Sequence, residues 1–382
     1  MRYVIGRPKR AIRRPGSRWF TAVCWTAFGI GIVMSISVML AASAYRNAGT
    51  DNTDPFQGES GGVTSTNKAS AGGIGQAPLP SKAEKPAAAA GSKEEQTYIN
   101  VYLTKEKRTE RVTLETYVRG VVAGEMPADF ELEALKAQAI AARTYIVRRL
   151  ELDDHSGMPA TAAASQADVT DTISHQIYIS LDQLKKLWPK DEQEAKLAKL
   201  NKAVSETRGK VITYGGEPIQ AVFFSTSNGY TENSEQYFQE ELPYLRSVAS
   251  PWDKRISPRY QETVKLKLSD FYARLGLGTK KKPVIRVLDK TAGNRIADIM
   301  IDGKTYTGRE VREKLGLASS QFLWKLDGDS IAITTFGYGH GVGMSQWGAN
   351  GMAEQGKSAE QIVTYYYTDT KVEQASKLAA KT

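Results

Sequence analysis

Cysteine occurs once in the 382 residues, at Cys24, which rules out an intramolecular disulfide framework and any cysteine-rich zinc module. Histidine is nearly as scarce. His155, His175 and His340 form neither an H-E-x-x-H pattern nor a close pair, so no metal centre is expected from them. Thirty-three glycines and 14 prolines are too few for a collagenous or mostly disordered chain. The excess of positive charge is missing too, once the first 18 residues are set aside. Arg2, Arg7, Lys9, Arg10, Arg13, Arg14 and Arg18 stand there without an acid and supply most of the net +9. The remainder is close to neutral, which leaves no basic footprint for nucleic acid. What is present is 41% hydrophobic residues over a length that can bury a sizeable core, in about two or three domains.

From Trp19 to Tyr45 no residue is charged. As a helix this run spans about 40 Å, more than the roughly 30 Å hydrocarbon layer. The arginines precede it, so a transmembrane anchor over 19–45 is expected, with 1–18 cytoplasmic and everything after Arg46 outside. Ala42-Ser43-Ala44 offers the alternative of a cleaved signal peptide, but the apolar run exceeds a signal core. Residues 46–96, rich in Gly, Ala, Ser, Thr and Pro, read as a flexible tether.

Order is expected from 97 to 372. Tyr98–Leu103 alternates as a strand, Arg111–Leu114 reads as a second, and Glu115–Val118 as a helical turn. Asp129 is positioned to cap a helix over Phe130–Arg149, with one buried stripe through Leu132, Leu135, Ala139, Ala142 and Ile146. Leu181–Ser205 reads as helical, and Lys210–Tyr214 and Ile219–Ser225 as strands about Gly215-Gly216. Residues 258–335 alternate strands and two short helices around a hairpin at Asp302-Gly303, a second lobe inserted in the first (97–257 plus 336–372). Residues 373–382 read as a polar tail.

Three segments carry chemistry. In Gly120–Pro127 a carboxylate, Glu125, stands between an apolar run and a proline. Desolvation there would raise its pKa, as a general acid requires, while the following helix N-terminus would oppose the rise. A solvent-exposed turn glutamate is the plain alternative. Ala221–Glu232 feeds apolar residues into a hydroxyl-rich turn. Ser225 lacks a G-x-S-x-G elbow, so its hydroxyl and that of Ser227 read as polar contacts or turn hydrogen bonds. Gly337–Gly348 alternates glycines around His340 in a pattern that permits close approach to a ligand or a tightly packed loop; it lacks the Lys-Ser/Thr ending of a phosphate loop.

Taken in order, these segments resemble the stage II sporulation protein D family: Gly120–Pro127 running into Glu133–Tyr145, Asp168-Val169 through Gln176-Ile177-Tyr178, Phe223–Glu232, Pro243–Leu245, Ser250–Asp253, and Gly339–Ala349 with Tyr365–Tyr367. The resemblance covers about residues 98–370. It implies a lytic transglycosylase cutting peptidoglycan glycan strands during forespore engulfment, with Glu125 as catalytic acid and base. Lys136, Arg143, Tyr145, Ser225, Ser227, His340 and Gln346 are then candidates for holding the glycan. No cofactor is implied. Some members bind zinc through cysteines in the segment matching Asp168–Tyr178; Thr170 and Gln176 stand at those positions here, so no zinc is expected. The family also implies peptide-stripped (denuded) glycan as substrate, a partnership with the stage II sporulation proteins P, an amidase, and M, and an extracytoplasmic catalytic region on the mother-cell engulfing membrane. The expected fold class is α+β: one N-terminal transmembrane helix, a tether, and a mixed α/β catalytic region of two lobes with a cleft between them. The alternatives are a non-catalytic glycan-binding module of the amidase-enhancer type and a serine amidase using Ser225 and His340.

Overall fold

The computed structural model describes residues 97–377 apart from 239. The expected anchor over 19–45 and tether over 46–96 lie outside the described residues. The fold class is corrected accordingly. The architecture is mixed α/β, and no helix among the described residues is long and apolar enough to cross a membrane. The longest, Leu132–Glu151, carries Lys136, Arg143, Arg148 and Arg149 and packs into the first hydrophobic core.

Strand β1 (Tyr98–Leu103) pairs antiparallel with β2 (Arg108–Thr113). Thr113 then caps helix α1 (Leu114–Glu125), its hydroxyl accepting from the Thr116 N–H at 3.3 Å. The expected helical turn over Glu115–Val118 therefore continues as a helix as far as Glu125. The helix stops at Met126, which is extended because a proline follows. Helix α2 (Leu132–Glu151) begins later than expected, and Asp129 does not cap it. Instead the Asn350 side chain accepts from the Glu131 N–H at 2.8 Å, a cap supplied from 219 positions away.

Short β3 (Val169–Thr170) adds parallel to β1, giving the order β2-β1-β3. The helical stretch after Leu181 is broken into α3 (Leu181–Leu187) and α4 (Lys190–Ser205), because Trp188 precedes Pro189 and is forced out of the helical region. Strand β4 (Lys210–Tyr214) turns through Gly215-Gly216 into β5 (Glu217–Pro218). The expected strand Ile219–Ser225 shrinks to β6 (Phe223–Phe224), and short helices α5 (Glu235–Phe238) and α6 (Asp253–Ile256) follow.

The next stretch builds its own core. It comprises β7 (Gln261–Lys267), α7 (Leu268–Leu275), β8 (Ile285–Lys290), β9 (Ile296–Ile301), β10 (Lys304–Thr307), α8 (Gly308–Leu315), β11 (Phe322–Asp327) and β12 (Ser330–Phe336). Two antiparallel sheets, β10-β9-β8 and β11-β12-β7, enclose Phe271, Tyr272, Ile299, Val311, Ile331 and Ile333. The chain then returns through β13 (Met344–Ser345), parallel to β6, into α9 (Gln346–Glu354), α10 (Ala359–Tyr366) and β14 (Lys371–Gln374). That last strand pairs with β4, and the Thr213 hydroxyl donates to Glu373 at 2.6 Å, so order runs past the point where a polar tail was expected to begin.

Helix α2 is the hub of the first core. Its alanines, 134, 137, 139, 141 and 142, let α1, α4, β4, α9 and α10 approach closely. Burial therefore extends well beyond the single expected stripe. Each fully buried Leu or Ile there contributes about 1.5–3 kcal/mol. The two cores are joined by an ion pair, Arg295 to Glu232 at 2.8 Å, with both side chains almost sealed from water. Asn228 Nδ2 also donates to the Gly293 carbonyl at 2.9 Å.

Candidate active site

Glu125 is the last residue of α1, and each of its oxygens has a donor. The Ile177 N–H donates to Oε1 at 2.8 Å, and Gln346 Nε2 approaches Oε2 at 3.3 Å. Met126, next in the chain, is sealed in the core, yet an edge of Glu125 itself stays accessible. Burial pushes the carboxyl up to about 7, and the two donations pull it back only in part. A group titrating there is half protonated near neutrality, which suits transfer of a proton in either direction. Among the described residues no second carboxylate contributes to the shift.

Two glycines create this arrangement. Gly120 and Gly124, four residues apart, lie on one face of α1 and let the extended segment 176–179 lie directly on the helix. A Cβ on Gly124 would sit 2.6 Å from the Ile177 carbonyl oxygen, and one on Gly120 would collide with the Tyr178 ring. The Ile179 N–H donates to the Gly120 carbonyl at 3.2 Å, which fixes the register that aims Ile177 at Glu125.

The same segment is held by hydrogen bonds of its own. The Tyr117 hydroxyl donates to Gln176 Oε1 at 3.1 Å inside the core. His175 Nδ1 accepts from the Thr170 N–H at 3.2 Å and lies 2.9 Å from the Thr170 hydroxyl, while Nε2 lies 3.1 Å from the Ser156 carbonyl. Burial holds this imidazole down at about 4, so it is neutral and donates through Nε2. One imidazole among hydroxyls and an amide does not fit a zinc centre, and among the described residues no group of three His, Cys, Asp or Glu is placed to hold a metal.

On the opposite side, Gln346 opens α9 and its backbone is fixed at both neighbours. The Ser345 hydroxyl caps the helix, accepting from the Gly348 N–H at 3.3 Å, and donates to the buried Asp253 carboxylate. Asp253 also accepts from the Ser227 N–H at 2.7 Å and the Ser250 hydroxyl at 2.8 Å; burial nevertheless lifts it to about 6. The Trp347 N–H donates to the Ser225 carbonyl at 3.1 Å. The hydroxyl-rich turn and the closing glycine segment thus meet in the scaffold behind Gln346.

The remaining candidates are placed elsewhere. Arg143 is sealed in the core and forks onto Glu115 at 3.0 and 2.6 Å, with a further donation to the Lys210 carbonyl at 3.2 Å, so its guanidinium holds α1, α2 and β4 together. Lys136 bridges Glu133 at 2.7 Å and Glu206. Tyr145 is half-buried beside Arg149, with burial raising its hydroxyl above the ordinary value. Ser227 lies in a local turn, donating to the Tyr230 carbonyl at 3.2 Å and accepting from the Gly229 N–H at 2.9 Å.

Both nitrogens of His340 are engaged within the protein. Nδ1 accepts from the Val342 N–H at 3.1 Å, and Nε2 therefore donates to the Phe223 carbonyl at 3.0 Å. Burial takes its pKa down to about 3. No hydrogen bond joins it to Ser225, which removes the basis of a serine amidase. The glycines around it approach the protein itself: a Cβ on Gly341, at φ 90, would lie 2.5 Å from the Arg295 guanidinium carbon. A cavity of about 270 Å³ lies where the lobes meet, lined by Glu232, Tyr237, Lys290, Arg295, Arg309 and His340, but Glu125 is not on its wall.

Sequence reasoning missed the Ile177 N–H, Asp253 and the packing glycines. Only the last left a signal, the four-residue spacing of Gly120 and Gly124 just before an acid. Glu125 is thus a carboxyl held by one backbone donor and one side-chain amide. Residues 102–214 match the family described as stage II sporulation protein (SpoIID). The chain is 49% identical over 278 residues to the stage II sporulation protein D of Bacillus subtilis (strain 168), covering 72% of this chain and 79% of that one. It is 47% identical over 290 residues to that of Bacillus amyloliquefaciens, covering 76% and 82%. A protein named amidase enhancer, also from Bacillus subtilis (strain 168), is 28% identical over 307 residues, covering 66% of this chain and 40% of that one. The chain belongs to the stage II sporulation protein D family.

Proposed function

We propose that this sporulation protein is a peptidoglycan lytic transglycosylase in which Glu125 serves first as acid and then as base. The observation that carries the reading is the isolation of Glu125: one carboxyl, raised to about 7, without a carboxylate partner among the described residues. Hydrolytic glycosidases need a second carboxylate to activate water or attack the sugar. A lytic enzyme does not, because the C6 hydroxyl of the muramic acid attacks its own C1. Glu125 gives its proton to the glycosidic oxygen as the C1–O bond breaks and takes the C6 proton as the new C1–O6 bond forms. The products are a free 4-hydroxyl and a 1,6-anhydro end, and the carboxyl is regenerated. Such an intramolecular attack gains from positioning, with effective molarities of about 10⁵–10⁸ M in favourable cases.

On this reading the substrate is denuded glycan of the septal wall, outside the cytoplasm, stripped by the stage II sporulation protein P in an assembly with protein M. Wild type and Glu125→Gln are compared on denuded strands by mass spectrometry. The wild type releases anhydro-ended fragments and the variant none; equal release by both refutes the assignment. The likeness to the amidase enhancer favours a second reading, a glycan-binding module without cleavage. In that case wild type binds strands and leaves their ends unchanged in mass.

A further inference from the structure

We propose that Gln346 is a positioning residue that partners Glu125 in both protonation states, its carboxamide turning over as the proton comes and goes. This inference rests on the reading of Glu125 as acid and base.

The two donors to Glu125 differ in kind. The Ile177 N–H is a fixed backbone donor and can never accept, so Oε1 is reserved as an acceptor. The proton of the acid form therefore belongs on Oε2, the oxygen facing Gln346. Against a carboxylate, Gln346 offers Nε2–H. Against a carboxylic acid, the same orientation would set donor against donor. A carboxamide resolves the conflict with a half-turn about its last bond, which brings its oxygen to the Oε2–H. That terminal torsion is broad and two-fold, so the turn is easy.

Only this torsion needs to move. Gln346 is 7% exposed, and its backbone is clamped through Ser345 to Asp253 and through the Trp347 N–H to Ser225. Titratable neighbours do not override the device. Tyr117, on α1 itself, senses the Glu125 charge and is held neutral by burial; segment 176–178 presents the Ile177 N–H and neutral Gln176, and α9 presents Gln346 and Trp347. As the proton leaves Oε2 for the glycosidic oxygen, the amide turns its N–H onto the new carboxylate. That donation strengthens as charge develops, so it stabilises the transition state more than the ground state.

The test uses the full chain, with anhydro-end formation on denuded glycan followed from about pH 5 to about pH 9. Gln346→Met should lower kcat about 100-fold while KM stays within about twofold. Its upper pH limb should rise by less than about one pH unit, because the carboxylate loses a charge-assisted donor and the acid only a neutral acceptor. Gln346→Glu, equal in size, should raise that limb by about one pH unit or more, since two adjacent carboxyls resist double ionisation. A raised KM with unchanged kcat in Gln346→Met overturns the proposal, because Gln346 would then hold sugar. So does a kcat retained in Gln346→Met, whatever the limb does, because Oε2 would then need no partner to deliver its proton. A ¹³C NMR titration of the Glu125 carboxyl in wild type and Gln346→Met keeps the two readings apart. It checks the small upward shift, whose absence would overturn the proposal, even if the wild type cuts no glycan, an outcome that would remove the proposed function alone.

Discussion

Glutamine in place of Glu125 should make the protein more stable at alkaline pH and leave it unchanged in acid. In the unfolded chain a glutamate titrates near 4.5, whereas burial in the fold lifts Glu125 to about 7. The folded state thus holds this proton more tightly than the unfolded one. As pH rises through the interval between those values, the unfolded chain ionises first and stability falls; below about 4.5 both states are protonated and the difference disappears. The interval corresponds to about 3 kcal/mol at 1.36 kcal/mol per unit. The residue keeps an accessible edge, so water reduces this to about 2 kcal/mol. Glutamine keeps an oxygen to accept the Ile177 N–H and carries no charge to desolvate. Thermal unfolding of the full chain at about pH 8.5 should show the variant melting about 4–8 °C above wild type, with the two nearly coincident at about pH 4.5. A variant equal to or below wild type at about pH 8.5 would show that Glu125 is not held in a desolvated state, and the explanation of its acidity would fail.

Two further perturbations probe what surrounds the site. Arg143→Met strands Glu115 beside the core, and thermal unfolding should report a loss of about 3–5 kcal/mol, with KM for glycan unchanged in the protein that remains folded. Gly124→Ala drives a methyl against the Ile177 carbonyl and should destabilise by about 1–3 kcal/mol in urea. By lengthening the Ile177 donation it should also move the upper pH limb of cleavage upward, whereas a profile matching wild type would deny that donation its role.

Much of the second lobe was legible because its elements are governed locally. The hairpin at Asp302-Gly303 is set by two residues at positive φ, and α8 by the Thr307 and Glu310 capping box. Glu125 could be singled out as an acid in apolar company, but not as a helix end, since Gly120 and Gly124 weaken a helix read alone. Their use appears only when the segment 176–179 lies on them. Lys136 and Arg143 are seven residues apart on one helix, and nothing in that spacing says that their partners are Glu206 and Glu115.

Alternation, turn chemistry and the break before a proline act across a few residues, so strands, hairpins and helix stops follow from neighbouring side chains alone. The acid's setting does not. Its donors come from 52 and 221 positions along the chain, and its raised pKa exists only after packing has removed water from around it. Desolvation belongs to a place in space, and distant segments must meet there before one glutamate differs from the others.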